Sequence, residues 1–332
     1  VAEPRIRTTR HRTTVPADPD RVYALLADAG QWPQVFTPTV HAEVTEVPDG
    51  EQQLIHLWAL ANGEVRDWTS RRTLDPAARR ITFRQVVSSP PVASMGGEWQ
   101  VDAAPDGGSE VTLLHDWTTV DDDAAAADWI GQAVERNSTA ELEALSRAVT
   151  PAPDGEPLRF AFADSVDAEG PAEAVYEFLA RAELWPERLP HVDRLDLTEQ
   201  GDVQRMEMVT RAPDGSEHTT VSLRVLRPEQ HTLVYKQTVL PAALASHTGR
   251  WTVEPHGAGV RITSWHGVTL DVDGVARLLG PGTSLADARA RVRHNLGANS
   301  TTTLRHAKEF AEQIAQQAAQ QAAEQQGAAW TR

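Results

Sequence analysis

The sequence predicts an α+β protein made of two tandem domains. Each is expected to be a curved antiparallel sheet of about seven strands wrapped around a long C-terminal helix, with an internal pocket. Repetition is the first observation behind this. Val22-Tyr23 and Val175-Tyr176 lie 153 residues apart, as do Trp32-Pro33 and Trp185-Pro186. The spacing then settles at 152, pairing Gly63 with Gly215, Ser70 with Ser222, Arg72 with Arg224, Gln85 with Gln237 and Trp99 with Trp251. The triplet Asn137-Ser138-Thr139 returns as Asn299-Ser300-Thr301. Such a period is far longer than a solenoid repeat, so the duplicated unit is a whole domain. The second observation is the Pro-rich joint TPAPDGEP. It divides the chain into residues 1–150, a linker at 151–157 and residues 158–332. The third is the order of periodicities inside each copy.

That order begins with a strand from Ile6 to Val15. Asp18 is a fair N-cap and Pro19 a fair first helical residue, opening a helix with Val22, Leu25 and Leu26 on one face. Short segments follow at a spacing of roughly 10–12 residues. Each ends in turn chemistry: PDG at 48–50, Asn62-Gly63, Asp75-Pro76, Pro90-Pro91 and PDGG at 105–108. They amount to about six strands in a meander. A long helix closes each copy, from about Asp122 to Val149 and from about Ser284 to Gln325. A curved sheet around one long helix satisfies this order and leaves a cavity between them. The tail AEQIAQQAAQQAAEQQ is strongly helix-forming and reads as a solvated extension of the last helix.

Composition narrows the function classes. The 332 residues are 40% hydrophobic and 23% charged, ordinary values for a globular chain of this size. A formal net charge of −16 argues against nucleic acid as a partner, which requires a cationic face. With no cysteine there are no disulfides, thiolate nucleophiles or Cys-type zinc sites. The segment Val1 to Val15 has no apolar core of a signal peptide, and no apolar run approaches the ~20 residues of a membrane span. A cytoplasmic location without a membrane partner is therefore expected. No histidine pair has metal-ligand spacing on a helix, and neither a Gly-rich phosphate loop nor a nucleophile elbow occurs. These absences weigh against metallohydrolases, nucleotide enzymes and serine hydrolases, and no metal or cofactor is expected.

The residues left for chemistry lie on strands and on the long helices. Alternation from Val65 to Leu74 puts Arg66, Trp68, Ser70 and Arg72 on one face. A dry core would not choose that mixture, whereas a polar-lined cavity would. Arg72 can then hold a carbonyl oxygen and stabilise an enolate; the competing role is a salt bridge within the sheet. In the second copy His218, Thr220, Ser222 and Arg224 share a face, but Val221, Leu223 and Val225 form an apolar set opposite. Either that set packs against the first domain or Arg224 points outward. On the first long helix Ile130, Val134, Leu142, Leu145 and Val149 form a stripe with Ser138 in its middle and Asn137 at its edge. Val292, Leu296, Leu304, Ala307 and Phe310 repeat it around Ser300 and Asn299. Polar residues there suggest a polar cavity beneath, or else a hydroxyl bonded to its own helix. Ten tryptophans against three tyrosines supply flat walls for a planar ligand. Trp99 and Trp251 also suit a core, and Trp32 and Trp185 a pocket mouth. His56, His115 and His266 are the acid–base candidates, with structural histidines as the plainer reading.

Several of these residues together carry a resemblance. The Trp-Pro after a helix, the strand of Trp68, Ser70 and Arg72, the later Gln85 and Trp99, and the Asn-Ser-Thr helix resemble the aromatase/cyclases of bacterial type II polyketide synthases. The duplication resembles their didomain branch, and the likeness covers nearly the whole chain. It implies the helix-grip fold shared with START-type and birch-allergen-like proteins. It also implies an enzyme that takes a poly-β-ketone from an acyl carrier protein, directs the first intramolecular aldol closure (C7–C12 on a C9-reduced chain) and aromatises the ring by dehydration. Arg72 matches the family's pocket arginine; Arg224 and Ser222 match it in the second copy, where Thr220 replaces the tryptophan. On this reading Arg72 and Ser70 polarise the electrophilic carbonyl, and His115 or a water held by Asn137 moves protons. Arg224 and Ser222 are their counterparts. Trp32, Trp68, His56, Gln85, Trp99, Trp117 and Ser138 would bind substrate in the first pocket, and Trp185, His218, Gln237, Trp251, His266, Asn299 and Ser300 in the second. Arg277, Arg289, Arg291 and Arg293 offer a basic patch to an acidic carrier protein, or are ordinary paired charges. Other synthase subunits count as further partners. A non-catalytic carrier for a hydrophobic small molecule is the alternative, although it has little use for the polar pocket residues.

Overall fold

A computed structural model describes residues 4–47, 51–105, 107–150, 155–211 and 217–329. The chain divides into two compact units, Val1–Gly155 and Glu156–Arg332. In the first, β1 (Arg7–Val15) leads to α1 (Pro19–Ala27) and the short α2 (Trp32–Val35). Then come β2 (Thr39–Glu46), β3 (Gln52–Ala61), β4 (Glu64–Asp75), β5 (Arg80–Val87), β6 (Val92–Ala103), β7 (Ser109–Thr119) and α3 (Ala124–Val149). Strands β2 to β7 form the expected meander, and β1 pairs antiparallel with β7, giving the order β1-β7-β6-β5-β4-β3-β2.

Local chemistry explains the joints. The Asp18 carboxylate accepts from the N–H groups of Asp20 and Arg21 at the start of α1, and Asp123 does the same for Ala125 and Ala126 at the start of α3. Asn62 and Gly63, at φ 55° and 88°, make the tight turn between β3 and β4. The PDG turn at 48–50, Asp106 of the turn at 105–108 and residues 151–154 of the linker lie outside the described residues.

The second unit repeats the plan with β8 (Arg159–Ala168), α4 (Ala172–Ala180), α5 (Trp185–Arg188), β9 (Val192–Gln200), β10 (Val203–Arg211), β11 (Glu217–Arg227), β12 (Thr232–Val239), β13 (Leu244–His256) and β14 (Gly259–Leu270). Its sheet order is β8-β14-β13-β12-β11-β10-β9. Before the final helix α7 (Leu285–Ala329) it inserts α6 (Val272–Leu279), which the sequence reading did not anticipate. The Asp271 side chain caps α6 by accepting from the Gly274 N–H, and Gly280, at φ 101°, ends it. Among the described residues no helix is long and apolar enough to cross a membrane.

The packing places the cavities. In the first unit Val22 and Leu26 of α1, Val101 and Val111 of the sheet, and Leu142, Leu145 and Val149 of α3 are buried in one cluster. The C-terminal half of α3 thus closes the core, and its N-terminal half packs Ile130 and Val134 on Trp117 and roofs a cavity. In the second unit Leu304, Ala307 and Ala311 play the closing part with Val175, Leu179 and Ile262. Each core of this kind is held chiefly by removal of apolar surface from water.

Candidate active site

The first cavity consists of two adjoining chambers of about 140 and 90 Å³, sharing Trp32, Trp68, Gln85, Met95, His115 and Glu141 as walls. The outer chamber reaches the surface beside Arg66, Pro90, Pro91 and Trp129, under the N-terminal half of α3. The inner chamber ends on Ser70, Arg72, Phe83 and Trp99. Strand alternation therefore delivers Trp68, Ser70 and Arg72 inward, as the sequence implies.

Arg72 is only 1% exposed and largely occupied. Its Nη1 donates to the Leu26 carbonyl at 3.1 Å, and its Nη2 to the Ala27 carbonyl at 2.6 Å and to Gln53 Oε1 at 2.5 Å. The guanidinium also lies 5.0 Å from the centre of the Trp32 ring. These partners are the C-terminal carbonyls of α1 and the tryptophan of α2, so Arg72 ties the first helices to the sheet. Its Nε is buried without a partner. Burial lowers the pKa to about 10, which leaves the group cationic at neutral pH.

Opposite the sheet, α3 brings Asn137, Ser138 and Glu141 to the cavity. Asn137 Nδ2 donates to the Leu60 carbonyl at 2.8 Å, whereas Ser138 Oγ is buried without a partner. Glu141 was absent from the sequence reading. It lines both chambers, and burial with no offsetting cation raises its carboxyl pKa to about 8. His115 faces it on the sheet side. Burial, reinforced by His11, lowers the imidazole to about 4, and its Nδ1 has no partner. At neutral pH the cavity thus holds a mostly protonated carboxyl, a neutral imidazole and a fixed cation.

The second cavity, of about 110 Å³, is lined by Trp185, Ser222, Arg224, Gln237, Trp251, His266, Asn299 and Ser300. Arg224 therefore faces inward, although Val221, Leu223 and Val225 are buried as well. It repeats the structural role of Arg72: its Nη2 donates to the Leu179 carbonyl at 2.5 Å, and it lies 5.1 Å from the Trp185 ring centre. Its pKa is likewise lowered to about 10 by burial. Where the first cavity has Phe83 and Met95, the second has Tyr235 and His247. Thr303 occupies the helix position that Glu141 holds in the first. The sequence reading named none of these three.

Three expected pocket residues lie elsewhere. His56 sits on the other face of β3 from Leu57 and Ala59, bonded to Asp67 Oδ2 at 3.0 Å and stacked 3.9 Å from Trp58. Trp117 packs with Ile130 and Val134 under the start of α3. His218 is exposed near the β10–β11 hairpin, outside the cavity wall. The proposed basic patch also loses two members to ordinary pairing. Arg289 donates to Glu156 and the Pro157 carbonyl, and Arg293 donates to Asp164 while lying 4.2 Å from the Phe162 ring centre.

The comparisons with known proteins agree with this architecture. The family model described as polyketide cyclase/dehydrase and lipid transport matches twice, at residues 6–150 and 159–308. The granaticin polyketide synthase bifunctional cyclase/dehydratase of Streptomyces violaceoruber is 42% identical over 93% of this chain and 95% of its own. The actinorhodin polyketide synthase bifunctional cyclase/dehydratase of Streptomyces coelicolor is 43% identical over 89% and 93%. Among solved structures, the di-domain aromatase/cyclase BexL of the BE-7585A pathway superposes with a TM-score of 0.82 at 45% identity, covering 92% of this chain and 99% of that one. The di-domain StfQ of the steffimycin pathway gives 0.81 at 34% identity, with the same coverage. With both halves matched and the tandem architecture shared, this chain belongs to the polyketide cyclase/dehydratases, as a di-domain aromatase/cyclase of type II polyketide synthases.

Proposed function

We propose that the first cavity directs the first ring closure, C7–C12 of a C9-reduced poly-β-ketone presented by an acyl carrier protein. The observation that carries this reading is Glu141, a carboxyl with a pKa of about 8 on the wall of both chambers, with the Arg72 cation at the inner end. A minority of Glu141 is ionised at pH 7. That fraction accepts a proton from an acidic methylene between two carbonyls. The resulting enolate attacks a carbonyl carbon held in the inner chamber, whose oxygen gains negative charge beside Arg72 and Ser70. Glu141 then returns its proton to that oxygen, leaving a β-hydroxy ketone. His115, held neutral, hydrogen-bonds to the chain without placing a second charge in the cavity.

Trp32, Trp68 and Trp99 supply the flat walls that fold the chain. Bringing one carbon against one carbonyl is the larger part of the task, and placement alone lowers such intramolecular barriers by up to roughly 7–11 kcal/mol. The carrier protein and the other synthase subunits are the proposed partners, and the cytoplasm the proposed location.

The test is the product profile of a minimal polyketide synthase with a ketoreductase, with and without this protein, followed by chromatography and mass spectrometry. Conversion of shunt products to one regiospecifically closed ring supports the reading, and loss of that conversion in Glu141→Gln assigns it to the first cavity. An unchanged profile with aromatic products still bound would make the protein a carrier.

A further inference from the structure

Besides Thr303 in place of Glu141, three neighbouring exchanges on the sheet set the second domain apart from the first. Tyr235 replaces Phe83, and in both domains the ring lies over a glycine, Gly249 or Gly97, where any Cβ would run into it. His247 replaces Met95. Ser264 replaces Leu113, each being the partner across the ladder from the corresponding tryptophan, Trp251 or Trp99.

Together they turn an apolar wall into a hydrogen-bonded chain. His247 Nδ1 is 2.9 Å from Gln237 Oε1, and His247 Nε2 is 3.0 Å from His266 Nδ1. His266 Nε2 is 3.1 Å from Ser264 Oγ, and the Tyr235 hydroxyl is 3.2 Å from His266 Nδ1. With the Gln237 oxygen as acceptor, the direction of every bond follows. His247 donates from Nδ1 to Gln237, His266 from Nδ1 to His247 Nε2, and Ser264 from its hydroxyl to His266 Nε2. The His266 Nδ1–H also faces the Tyr235 oxygen, which leaves the phenolic hydrogen for the cavity. Burial raises the Tyr235 phenol above its ordinary range and keeps it protonated, and the nearby Arg224 charge offsets part of that rise. Burial holds both imidazoles neutral, His247 at about 3 and His266 at about 4. No carboxylate lines this cavity among the described residues.

We propose that the second cavity is a separate dehydration site for a cyclic β-hydroxy ketone in its enol form, with Tyr235 as the catalytic residue and His266, His247 and Gln237 as positioning residues. The inference rests on the reading that this protein closes the ring. Tyr235 gives its proton to the β-hydroxyl as the carbon–oxygen bond breaks, and water leaves. The enol double bond supplies the electron pair of the new carbon–carbon double bond, and the enol oxygen becomes a carbonyl. Its proton returns to the Tyr235 phenolate, which the His266 Nδ1–H and the Arg224 charge stabilise in the interval. The cycle closes with no other reactant.

The experiment feeds malonyl-coenzyme A to the minimal synthase, ketoreductase and full-length protein, and reads products by mass. Tyr235→Phe is expected to keep ring closure and to raise the proportion of closed product heavier by one water by at least about tenfold. Phe83 shows that the bare ring fits this place, and a thermal melt checks the fold. His247→Met, which installs the first domain's residue, is expected to give the same product in smaller proportion and to add nothing in the Tyr235→Phe background. A purely structural His247 would add its effect in either background. A wild-type product ratio in Tyr235→Phe overturns the proposal while leaving ring closure intact. A wild-type protein that leaves the shunt products unchanged overturns both.

Discussion

The two cavities share a frame and differ in what they show a ligand. In each, one buried arginine on the third strand of the meander ties the first helix to the sheet and stacks on the tryptophan of the following turn. The ligand-facing positions diverge: the buried carboxyl of Glu141 and an imidazole whose Nδ1 has no partner in the first domain, a carboxylate-free chain of Tyr235, His266, His247 and Gln237 in the second. Duplication has kept the groups that hold the cavity open and changed those that exchange protons. An arginine that looks catalytic from its neighbours is therefore first a structural tie, and its positive charge reaches the substrate from a fixed place.

The largest expected effect tests that shared frame. Arg72→Ala and Arg224→Ala each remove a buried cation and strand the carbonyls of Leu26 and Ala27, or of Leu179. Each is expected to destabilise its own domain by about 3 kcal/mol, because buried carbonyls lose charged donors. Urea unfolding followed by tryptophan fluorescence reads both, since Trp32 and Trp185 lie under the two guanidinium groups. A full loss in one domain and none in the other would break the comparison.

Glu141→Gln comes next and moves activity and stability in opposite directions. Ring closure is expected to fall by about a hundredfold or more, the usual weight of a positioned acid–base group. Stability is expected to rise. Folding lifts the Glu141 pKa from 4.5 to about 8, so between those values the folded chain binds more protons than the unfolded one. The contribution of this carboxyl is thus present below pH ~4.5 and is lost as pH climbs toward 8. Glutamine abolishes the slope, and at pH 8 the variant gains up to about 4 kcal/mol. Thermal melts across pH 5 to 8 check the sign. A variant that melts lower at pH 8 than wild type would mean that Glu141 is partnered and ionised.

A smaller effect separates the two helix serines. Ser138 Oγ has no partner, whereas Ser300 Oγ donates to the Gly297 carbonyl at 3.2 Å. Ser138→Ala is expected to lower kcat/KM about fivefold, the value of one hydrogen bond made only to ligand, with stability unchanged within about 0.5 kcal/mol. Ser300→Ala is expected to change kcat/KM less. Equal effects would place both hydroxyls in the same role.

The sequence made the fold legible because duplication printed each signal twice and because turn chemistry and helical stripes are local. It was less informative about faces. Alternation placed Trp68, Ser70 and Arg72 correctly because the other face of β4 is charged. On β3 both faces carry bulky residues, and the aromatic one, with His56 and the fully buried Trp58, turned away from the cavity while Ile55 and Leu57 faced it. Trp117 follows the inward alternation of His115 but has passed under α3, where it packs on Ile130 instead of meeting the cavity. Glu141 was within reach, lying three residues after Ser138 on the same helical face. Tyr235 and His247 were within reach by alternation from Gln237 and Trp251, yet matching the two copies hid them because each replaces an apolar residue. The ties made by Arg72 and Arg224 were not legible, since their acceptors are main-chain carbonyls about 45 residues away.

The smallest expected effects mark the outer boundary of both sites. His56 carries the residue type of His115, on a strand that also lines the cavity, so a reading by composition would give them equal weight. Its ring, however, is occupied by Asp67 and Trp58 on the far face of β3. Its interaction with a partly exposed carboxylate is worth little in water. His56→Ala is expected to leave kcat/KM within about twofold and stability within about 1 kcal/mol, and the exposed His218→Ala to change less. His115→Ala, measured beside them, should lose most of the ring-closing activity. If His56→Ala fell as far as His115→Ala, the reacting chain would have to meet the convex side of the sheet. The enclosed carboxyl of Glu141 would then be left without a substrate.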